Sequence, residues 1–360
     1  MHENPRTLTM KPLVSILIPA YNAEKWIAQT LQSAIAQTWP HKEIIVINDG
    51  SSDGTAEILR RFGSKEVTVV STENRGLPAA VNHALRLSQG DYIQELDADD
   101  LLAPDKIERQ LAALREGDSK RVLLSSPWAP FYYRTRSARF VQNSLCEDLS
   151  PVEWLLRKMR DNAHMQNATW LVSRELVEAA GPWDKRLHYD QDGEYFARVV
   201  MASERIRFIS GTGIFYRINS PLTRISHIGT SNKKKDSLLL SMKLHIQYLR
   251  SLEESERVRN ACVAYLRNWY YVFYPSRPDA IVELQALAAQ LQGRLEPPRL
   301  TWKYAWMERM FGLKAAKWAE ITLPTFKDSC VRLFDSAMYK LEATHGAPSL
   351  GVDALRESAK

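Results

Sequence analysis

Short apolar runs alternate with amphipathic segments along the first 125 residues of this chain. The apolar runs, which are typical of buried strands, lie at residues 14–18, 44–47, 67–70 and 92–96. We expect Pro19 to end the first of them. Between the runs, apolar residues recur at helical spacing, as Ile27, Leu31 and Ile35 do in a predicted helix over 23–37. This alternation predicts an α/β fold, with a mostly parallel sheet covered by helices on both faces.

The pattern becomes mixed after residue 120 and helical after residue 235. Shorter apolar runs predict further strands at 122–125, 169–172, 206–209 and 214–217. Helices are predicted through Ile58 and Leu59, over 77–88, and from Pro104, because the first turn of a helix tolerates proline. Pro278 is expected to interrupt the helical region. The predicted units are an α/β domain over 11–220 with halves at 11–112 and 113–220, a helical region over 235–345, and flexible ends at 1–10 and 346–360.

Polar side chains follow three of the four predicted strands, in segments 19–22, 48–51 and 97–100. Ligands bind beyond the carboxyl ends of the strands in open sheets of this type. Asp97, Asp99 and Asp100 form a close group of carboxylates, which repel one another unless a cation or hydrogen-bond donors offset the charge. A hard divalent ion such as Mg²⁺ or Mn²⁺ takes one or two carboxylates together with substrate phosphates. The pattern therefore indicates a site for a metal-bound phosphate donor.

The polar loop after the second strand has both ligand-binding and purely structural interpretations. Asp49 is placed to accept a hydrogen bond from a nucleobase N–H, and glycine lets a ligand approach the backbone. Asp53 is better explained as a helix N-cap, and Gly50 as a residue with positive φ. Tyr21 has a ring on which a base can stack. Asn22 fits a helix cap and a functional role equally well.

A second acidic cluster precedes a predicted helix at residues 190–194. The dipole at a helix start stabilises a negative charge, so Asp192 is a candidate general base. A simple N-cap role for Asp190 or Asp192 remains an equal alternative. Asn219 and His227, which follow the strand predicted at 214–217, are candidates for positions near the metal.

These motifs together resemble the family 2 glycosyltransferases of the GT-A fold. The resemblance rests on segments 14–22, 48–55 and 96–100, and on 181–184 with Asp192 and Arg198. It covers about residues 11–220, and the combination, order and spacing of the motifs make it specific.

The resemblance implies an inverting transfer of a sugar from a nucleoside diphosphate donor to an acceptor hydroxyl, with Mn²⁺ or Mg²⁺ as cofactor. It places Asp192 as the catalytic base, Asp99 as the direct metal ligand, Asp97 at the ribose or the metal, and Tyr21 and Asp49 at the nucleobase. With the candidates from the residues themselves, His227 is a further metal candidate, and the expected nucleotide-sugar contacts are Pro19, Tyr21, Asn22, Asp49, Gly50, Ser51, Arg75, Asp97 and Ala98. Asp100 is expected to shape the turn.

Two departures from the family pattern keep alternatives open. Gln191 replaces the first carboxylate of the acidic pair, so a non-catalytic nucleotide- or glycan-binding relative stays an alternative. Val81 stands where many relatives carry an arginine, and Arg75 is the substitute we consider for the diphosphate. A sugar-phosphate nucleotidyltransferase is disfavoured because no glycine- and lysine-rich loop follows the first strand. A haloacid-dehalogenase phosphatase is also disfavoured, because its Asp-x-Asp motif follows the first strand, whereas the motif of this chain follows the fourth.

Composition narrows the setting without choosing a partner. The net charge of +6 suits anionic partners. We do not expect nucleic acid as a partner, because nothing else in the sequence favours it. No apolar run approaches a membrane span and no signal peptide is evident, so we expect a cytoplasmic protein. We expect a glycan or lipid-linked acceptor from the cell envelope. Tryptophans and lysines over 302–317 suit either a helix on an anionic membrane or one packed on the domain.

Overall fold

The computed structural model of the chain describes residues 11–219, 228, 231–296, 310–312 and 330–342. Its strands are β1 (Val14–Ala20), β2 (Lys42–Asp49), β3 (Val67–Thr72), β4 (Tyr92–Glu95), β5 (Leu101–Leu102), β6 (Val122–Ser125), β7 (Trp128–Phe131), β8 (Val172–Ser173), β9 (Arg205–Phe208) and β10 (Ile214–Arg217). Its helices are α1 (Ile27–Ile35), α2 (Thr55–Arg60), α3 (Leu77–Leu87), α4 (Lys106–Ala112), α5 (Pro151–Arg160), α6 (Arg174–Ala180), α7 (Gln191–Ala202), α8 (Asn232–Leu252), α9 (Glu256–Phe273) and α10 (Pro278–Gln290). Short 3₁₀ helices lie at Thr135–Ser137 and Asn167–Thr169, and residues 330–342 are helical.

The main sheet has the strand order β3-β2-β1-β4-β8. Its first four strands are parallel, and only β8 at the edge is antiparallel. These four strands are the predicted apolar runs, and their residues are almost wholly buried in β1, β2 and β4. The predicted α/β class with a mostly parallel sheet is therefore confirmed. The parallel arrangement brings the loops after β1, β2 and β4 to one edge of the sheet.

β1 continues through Pro19 to Ala20, so the prediction that Pro19 ends this strand is wrong. β4 pairs with β1 only as far as Leu17, and β2 alone accompanies β1 beyond that point. The carbonyls of Leu13 and Leu17 accept hydrogen bonds from Tyr92 N and Leu96 N, on the side of β1 where β4 lies. Because every second residue of a strand faces the same neighbour, Pro19 also faces this side, where β4 no longer pairs with β1. A proline is tolerated in a strand where its missing N–H has no partner to meet.

Other element boundaries differ from the predictions for local reasons. α1 begins at Ile27, because residues 24–26 form a turn before it. The strand predicted at 169–172 is a 3₁₀ turn, Asn167–Thr169, followed by the two-residue β8. The helical region is interrupted between the end of α9 at Phe273 and Pro278, as expected, and Pro278 begins α10 at its first turn. The strands β5 and β7 had no clear apolar pattern of their own.

The core runs without a break from the sheet into the helices beyond residue 231. Leu238 of α8, Val258 of α9 and Leu284 of α10 are fully buried in the same cluster as Ile16 and Val46. The helix over 330–342 packs against the loop at 132–136, where Asp335 pairs with Arg134 at 2.7 Å. Most of the tryptophan–lysine segment 302–317 lies outside the described residues. Among the described helices, none combines the length and apolar character that a bilayer crossing needs.

Candidate functional site

The loops after β1 and β2 are joined to each other by hydrogen bonds. Asn22 adopts a left-handed conformation, with φ of 48°. Its Oδ1 accepts from Ser52 N at 2.8 Å, and its backbone N–H donates to Ser51 Oγ at 3.0 Å. Asp53 Oδ1 accepts from Thr55 N at 3.0 Å, so this carboxylate has a structural role, but the N-cap of α2 is Gly54 and the predicted N-cap role of Asp53 is wrong. The two strand ends therefore form one rigid wall of the site.

Asp49 at the end of β2 is buried and holds the loop that leads into α3. Its two carboxylate oxygens accept from the backbone N–H groups of Arg75 and Gly76, each at 2.8 Å. A carboxylate oxygen has two acceptor positions, so each oxygen retains one for a ligand. The Arg75 side chain is largely exposed, 3.9 Å from Glu73. Tyr21 is also exposed, beside Asn22.

Gly50 provides a stability test of this wall. Its φ is +69°, and a Cβ there would lie 2.5 Å from the backbone nitrogen of Asn74. Gly117 also has positive φ, but a Cβ there would meet open space. We expect Gly117→Ala to lose about 1–2 kcal/mol of unfolding free energy from the backbone conformation alone. Gly50→Ala should lose roughly 1–3 kcal/mol more because of the clash, measured by urea denaturation. Equal losses would contradict the close approach.

The carboxylates after β4 have different environments. Asp100 is fully buried, accepting from Arg217 N at 2.7 Å and from Gln166 Nε2 at 3.3 Å. Burial, with the nearby charges of Asp99 and Asp97, holds the pKa of Asp100 well above its usual range. Asp100 therefore fastens the turn to β10, as the sequence predicted, and does not face a ligand.

Asp97 and Asp99 are half-buried, and each receives an amide from a distant segment. Asn167 Nδ2 donates to Asp97 Oδ1 at 3.0 Å, and Asn219 Nδ2 donates to Asp99 Oδ2. Burial and the negative charge of Asp99 raise the pKa of Asp97 to about 7. The candidate Asn219 is thus beside Asp99, whereas His227 lies outside the described residues.

Arg217 at the end of β10 bonds to the turn that contains Asp99 and Asp100. It is buried, with its guanidinium carbon 3.9 Å from the Trp26 ring centroid and 4.4 Å from that of Phe131. Its Nε donates to the Asp99 backbone carbonyl at 2.7 Å. Burial, opposed by the charges of Asp99 and Asp100, lowers the pKa of Arg217 to about 10. The guanidinium therefore offsets part of the negative charge while fixing the backbone of Asp99.

The acidic segment is anchored beside β4 by Trp183. Asn82 and Trp183 exchange two hydrogen bonds, at 2.9 and 3.0 Å. Trp183 Nε1 also donates to Glu95 Oε1 at 3.2 Å, and its ring stacks on Tyr195 with centroids 4.9 Å apart. Burial holds the pKa of Glu95 well above its usual range. The anchor brings the start of α7 to the same sheet edge as Asp97.

Asp192 lies in the first turn of α7 and is half-buried. Its pKa is raised by burial and by the charge of Asp190. The charge of Asp192 in turn contributes to the raised pKa of Asp97 and of Glu95. The structure therefore brings the carboxylates predicted after β4 and at the start of α7 into one electrostatic site.

The site's chemistry suits a hard divalent cation. Within the described residues, no set of three or more histidine, cysteine, aspartate or glutamate side chains is grouped to hold a metal ion. Asp97 and Asp99 nevertheless present half-buried carboxylates whose mutual repulsion raises the Asp97 pKa, and a cation relieves such repulsion. Two carboxylates with substrate phosphates make a usual Mg²⁺ ligand set. The donor set fits an ion that arrives with a diphosphate.

Sequence reasoning missed the residues that hold this site from a distance. Gln166 and Asn167, at the start of the 3₁₀ helix that precedes β8, donate to Asp100 and Asp97. His164, with its ring 5.1 Å from that of Trp128, has its pKa lowered by burial and Lys158, against the charges of Asp192 and Asp190. An isolated amide or histidine in a polar stretch gives no signal of such a contact.

Comparison with known proteins adds independent findings. Residues 15–169 match the family described as "Glycosyl transferase family 2". The chain is 31% identical over 195 residues to an uncharacterized glycosyltransferase of Rickettsia typhi, which covers 54% of this chain and 61% of that one. It is 43% identical over 112 residues to the chondroitin synthase of Escherichia coli, covering 31% of this chain and 16% of that one. The chain thus spans less than two thirds of these relatives.

The fold is also shared with a solved structure. The S. aureus TarS 1–349 complex with UDP-GlcNAc superposes with a TM-score of 0.58 at 19% identity, covering 78% of this chain and 79% of that one. At this identity the likeness establishes the fold alone. It extends past residue 169, where the family match ends.

Proposed function

We propose that this chain, whose residues 15–169 match glycosyl transferase family 2, transfers a sugar, with inversion, from a nucleoside diphosphate donor to an acceptor hydroxyl. The observation that carries the proposal is the convergence of Asp97, Asp99 and Asp192 at the sheet edge where Asp49 also lies. Sugar transfer needs a donor site and a general base close to each other. The residues assigned to them lie on separate segments, the loop after β4 and the start of α7.

We assign the donor to the wall formed after β1 and β2. The base and ribose would contact Asp49 through its remaining acceptor positions, with Tyr21 as a stacking ring. Arg75, exposed beside the Asp49 loop, would approach the diphosphate. The other assigned donor contacts are Pro19, Asn22, Gly50, Ser51, Asp97 and Ala98.

A divalent cation, Mn²⁺ or Mg²⁺, would be held by Asp99 with help from Asp97. When bound, such an ion supplies charge stabilisation for the departing diphosphate. The chain's own contribution is to keep both carboxylates oriented, which Asn219 and Asn167 do through their amides. Arg217 fixes the Asp99 backbone in the same way. The role assigned to His227 stays a proposal from the sequence.

Asp192 is the group we assign as general base. The acceptor oxygen attacks the anomeric carbon, its proton passes to the Asp192 carboxylate, and the bond from that carbon to the diphosphate oxygen breaks. This single displacement inverts the configuration and leaves no covalent intermediate. The raised pKa of Asp192 suits the role, because a base works best when its pKa approaches the working pH.

The non-catalytic alternative rests on Gln191, the position where the family pattern has a carboxylate. In this chain Gln191 is buried and its Nε2 donates to the Leu187 carbonyl at 3.2 Å. The residue thus serves the local fold, and the neighbouring Asp192 remains available for catalysis. This contact favours the enzyme over a binding module.

The setting that we propose is the synthesis of cell-envelope or extracellular polysaccharide. The similarity to a chondroitin synthase supports a glycan product, and a glycan or lipid-linked acceptor follows from it. A cytoplasmic location with peripheral membrane contact belongs to the same proposal. Both interpretations of residues 302–317 stay open, because most of that segment lies outside the described residues.

A thermal-shift screen of nucleoside diphosphate sugars, with and without Mn²⁺, tests the proposed function. The right donor at a hundredfold excess over Kd should stabilise the protein by about 2.7 kcal/mol, and only when Mn²⁺ is present. Nucleoside monophosphates at the same concentration are the control and should give smaller shifts. A flat response to every donor would contradict the proposal.

A further inference from the structure

One face of α8 carries a row of polar side chains that all bond to the acidic segment 188–194. The row consists of Ser237, Ser241, His245 and Tyr248, whose spacing of four, four and three residues places them on one side of the helix. Ser237, Ser241 and His245 are buried. We name these four residues the α8 row. It lies outside residues 15–169, which match the family.

The α8 row grips both sides of Asp192. Ser237 Oγ accepts from His188 N at 2.8 Å and Tyr189 N at 3.0 Å, and donates to Tyr189 O at 2.9 Å. These bonds use the whole capacity of a hydroxyl, which is one donor and two acceptor positions. The backbone just before the acidic residues is therefore fixed by a single side chain.

Three further bonds reach the residues that flank Asp192. Ser241 Oγ donates to Asp190 Oδ2. His245 Nε2 lies 2.9 Å from the Gly193 carbonyl, and Tyr248 donates its hydroxyl to Glu194 Oε1 at 2.6 Å. The bonds thus fall on residues 190, 193 and 194. The α8 row therefore bonds to residues on both sides of Asp192 and makes no bond to the Asp192 side chain.

The protonation of His245 follows from its two partners. A carbonyl oxygen only accepts, so Nε2 carries the hydrogen that bonds to Gly193. Nδ1 then accepts from the Tyr265 hydroxyl of α9 at 3.0 Å. Burial lowers the pKa of His245 to about 3, which agrees with a neutral ring. His245 therefore acts as a fixed donor.

The acidic segment needs such a grip because its backbone is strained. Asp190, the N-cap of α7, has φ of 56°, a left-handed conformation that is uncommon for residues with a side chain. Its carboxylate lies so close to Gly193 that a Cβ there would be 2.0 Å from Asp190 Oδ1. Strained conformations persist where the surroundings hold them, and they cluster at functional sites.

We propose that the α8 row positions Asp192 for catalysis, so that the helices after residue 231 are part of the active site. The proposal rests on the proposed function, in which Asp192 is the base. The four residues of the α8 row are positioning residues, because each bonds to residues 188–190, 193 or 194 and none bonds to Asp192 itself. A small misplacement of a catalytic group costs roughly 100-fold in rate.

The test combines Ser241→Ala and Ser237→Ala with Asp192→Asn in a double-mutant cycle. We expect each serine variant to lower kcat roughly 10- to 100-fold, with donor Kd unchanged by calorimetry. In the Asp192→Asn protein the same changes should not lower the residual rate further, because groups that act as a unit are not additive. Ser251→Ala, which removes a hydroxyl that donates to Tyr248 O within α8, is the control and should leave kcat unchanged.

The outcomes separate this proposal from the proposed function. An unchanged kcat in both serine variants overturns the positioning role. An equal fold-loss in the wild-type and Asp192→Asn backgrounds also overturns it, since the row would then act independently of the base. A wild-type rate for Asp192→Asn alone is a different result, which removes Asp192 as the base before any α8 variant is made.

Discussion

Replacing Asp192 with asparagine is expected to leave only a small residual rate of glycosyl transfer while donor binding stays intact. Asparagine keeps the size of the side chain but cannot accept a proton from the acceptor hydroxyl. General-base catalysis contributes roughly 10²–10⁴-fold, so kcat should fall by that factor. Because Asp192 lies in the first turn of α7 and not in the loops after β1 and β2 that are assigned to the donor, the donor Kd should remain within about twofold.

Single-turnover transfer assays and calorimetry with the donor measure the two effects separately. Asp279→Asn is a matched control, because Asp279 also occupies the second position of its helix, α10, but is paired with Arg277 on the surface. This variant should transfer at the wild-type rate. A nearly wild-type rate for Asp192→Asn would move the base elsewhere, with Asp190 and Glu194 the next residues to test.

The second large effect is expected at Asp99. Asp99→Ala should abolish the Mn²⁺-dependent binding of the donor. Only the Asp97 carboxylate would remain, and a single carboxylate supplies too few ligands for a hard cation. The donor-induced stabilisation of about 2.7 kcal/mol at a hundredfold excess over Kd should then disappear. The fold should survive, since Asp99 is half-buried and its backbone is held through the carbonyl by Arg217.

Titration with Mn²⁺ and donor, followed by thermal shift, gives the comparison. Asp105→Ala is the control in the same stretch of chain, where the carboxylate bonds Arg109 and Thr212 at the start of α4. It should lose some stability and keep the Mn²⁺-dependent shift. An unchanged donor affinity in Asp99→Ala would remove the metal assignment.

The parts of this fold that sequence predicts are those set by local patterns. The strands of the main sheet are short apolar runs, and the polar loops that follow them predict which sheet edge holds the candidate site. Gly50 was expected to have positive φ, and its φ of +69° confirms this. Pro19 was misjudged because whether a strand tolerates proline depends on its neighbour, and β4 ends before Pro19 is reached.

The parts that sequence could not predict are contacts made across long separations. Asn167 lies 70 residues from Asp97, and Asn219 lies 120 residues from Asp99. The serines and the histidine of the α8 row have an ordinary helical spacing, which periodicity alone assigns to a packed face. Their contacts with the acidic segment exist only in the tertiary fold, which places Asp190 beside Ser241.

The order of the elements along the chain has a consequence for biosynthesis. The strands β1 to β4 are complete once residue 95 has been made, whereas α8 begins at residue 232. At 5–20 residues per second, that interval of nearly 140 residues takes roughly 7–28 seconds. The loops after β1, β2 and β4 are therefore translated well before the helix whose side chains bond to residues 188–194. Under the two proposals above, a chain truncated before residue 232 would contain the segments assigned to the donor but lack the residues that position the base.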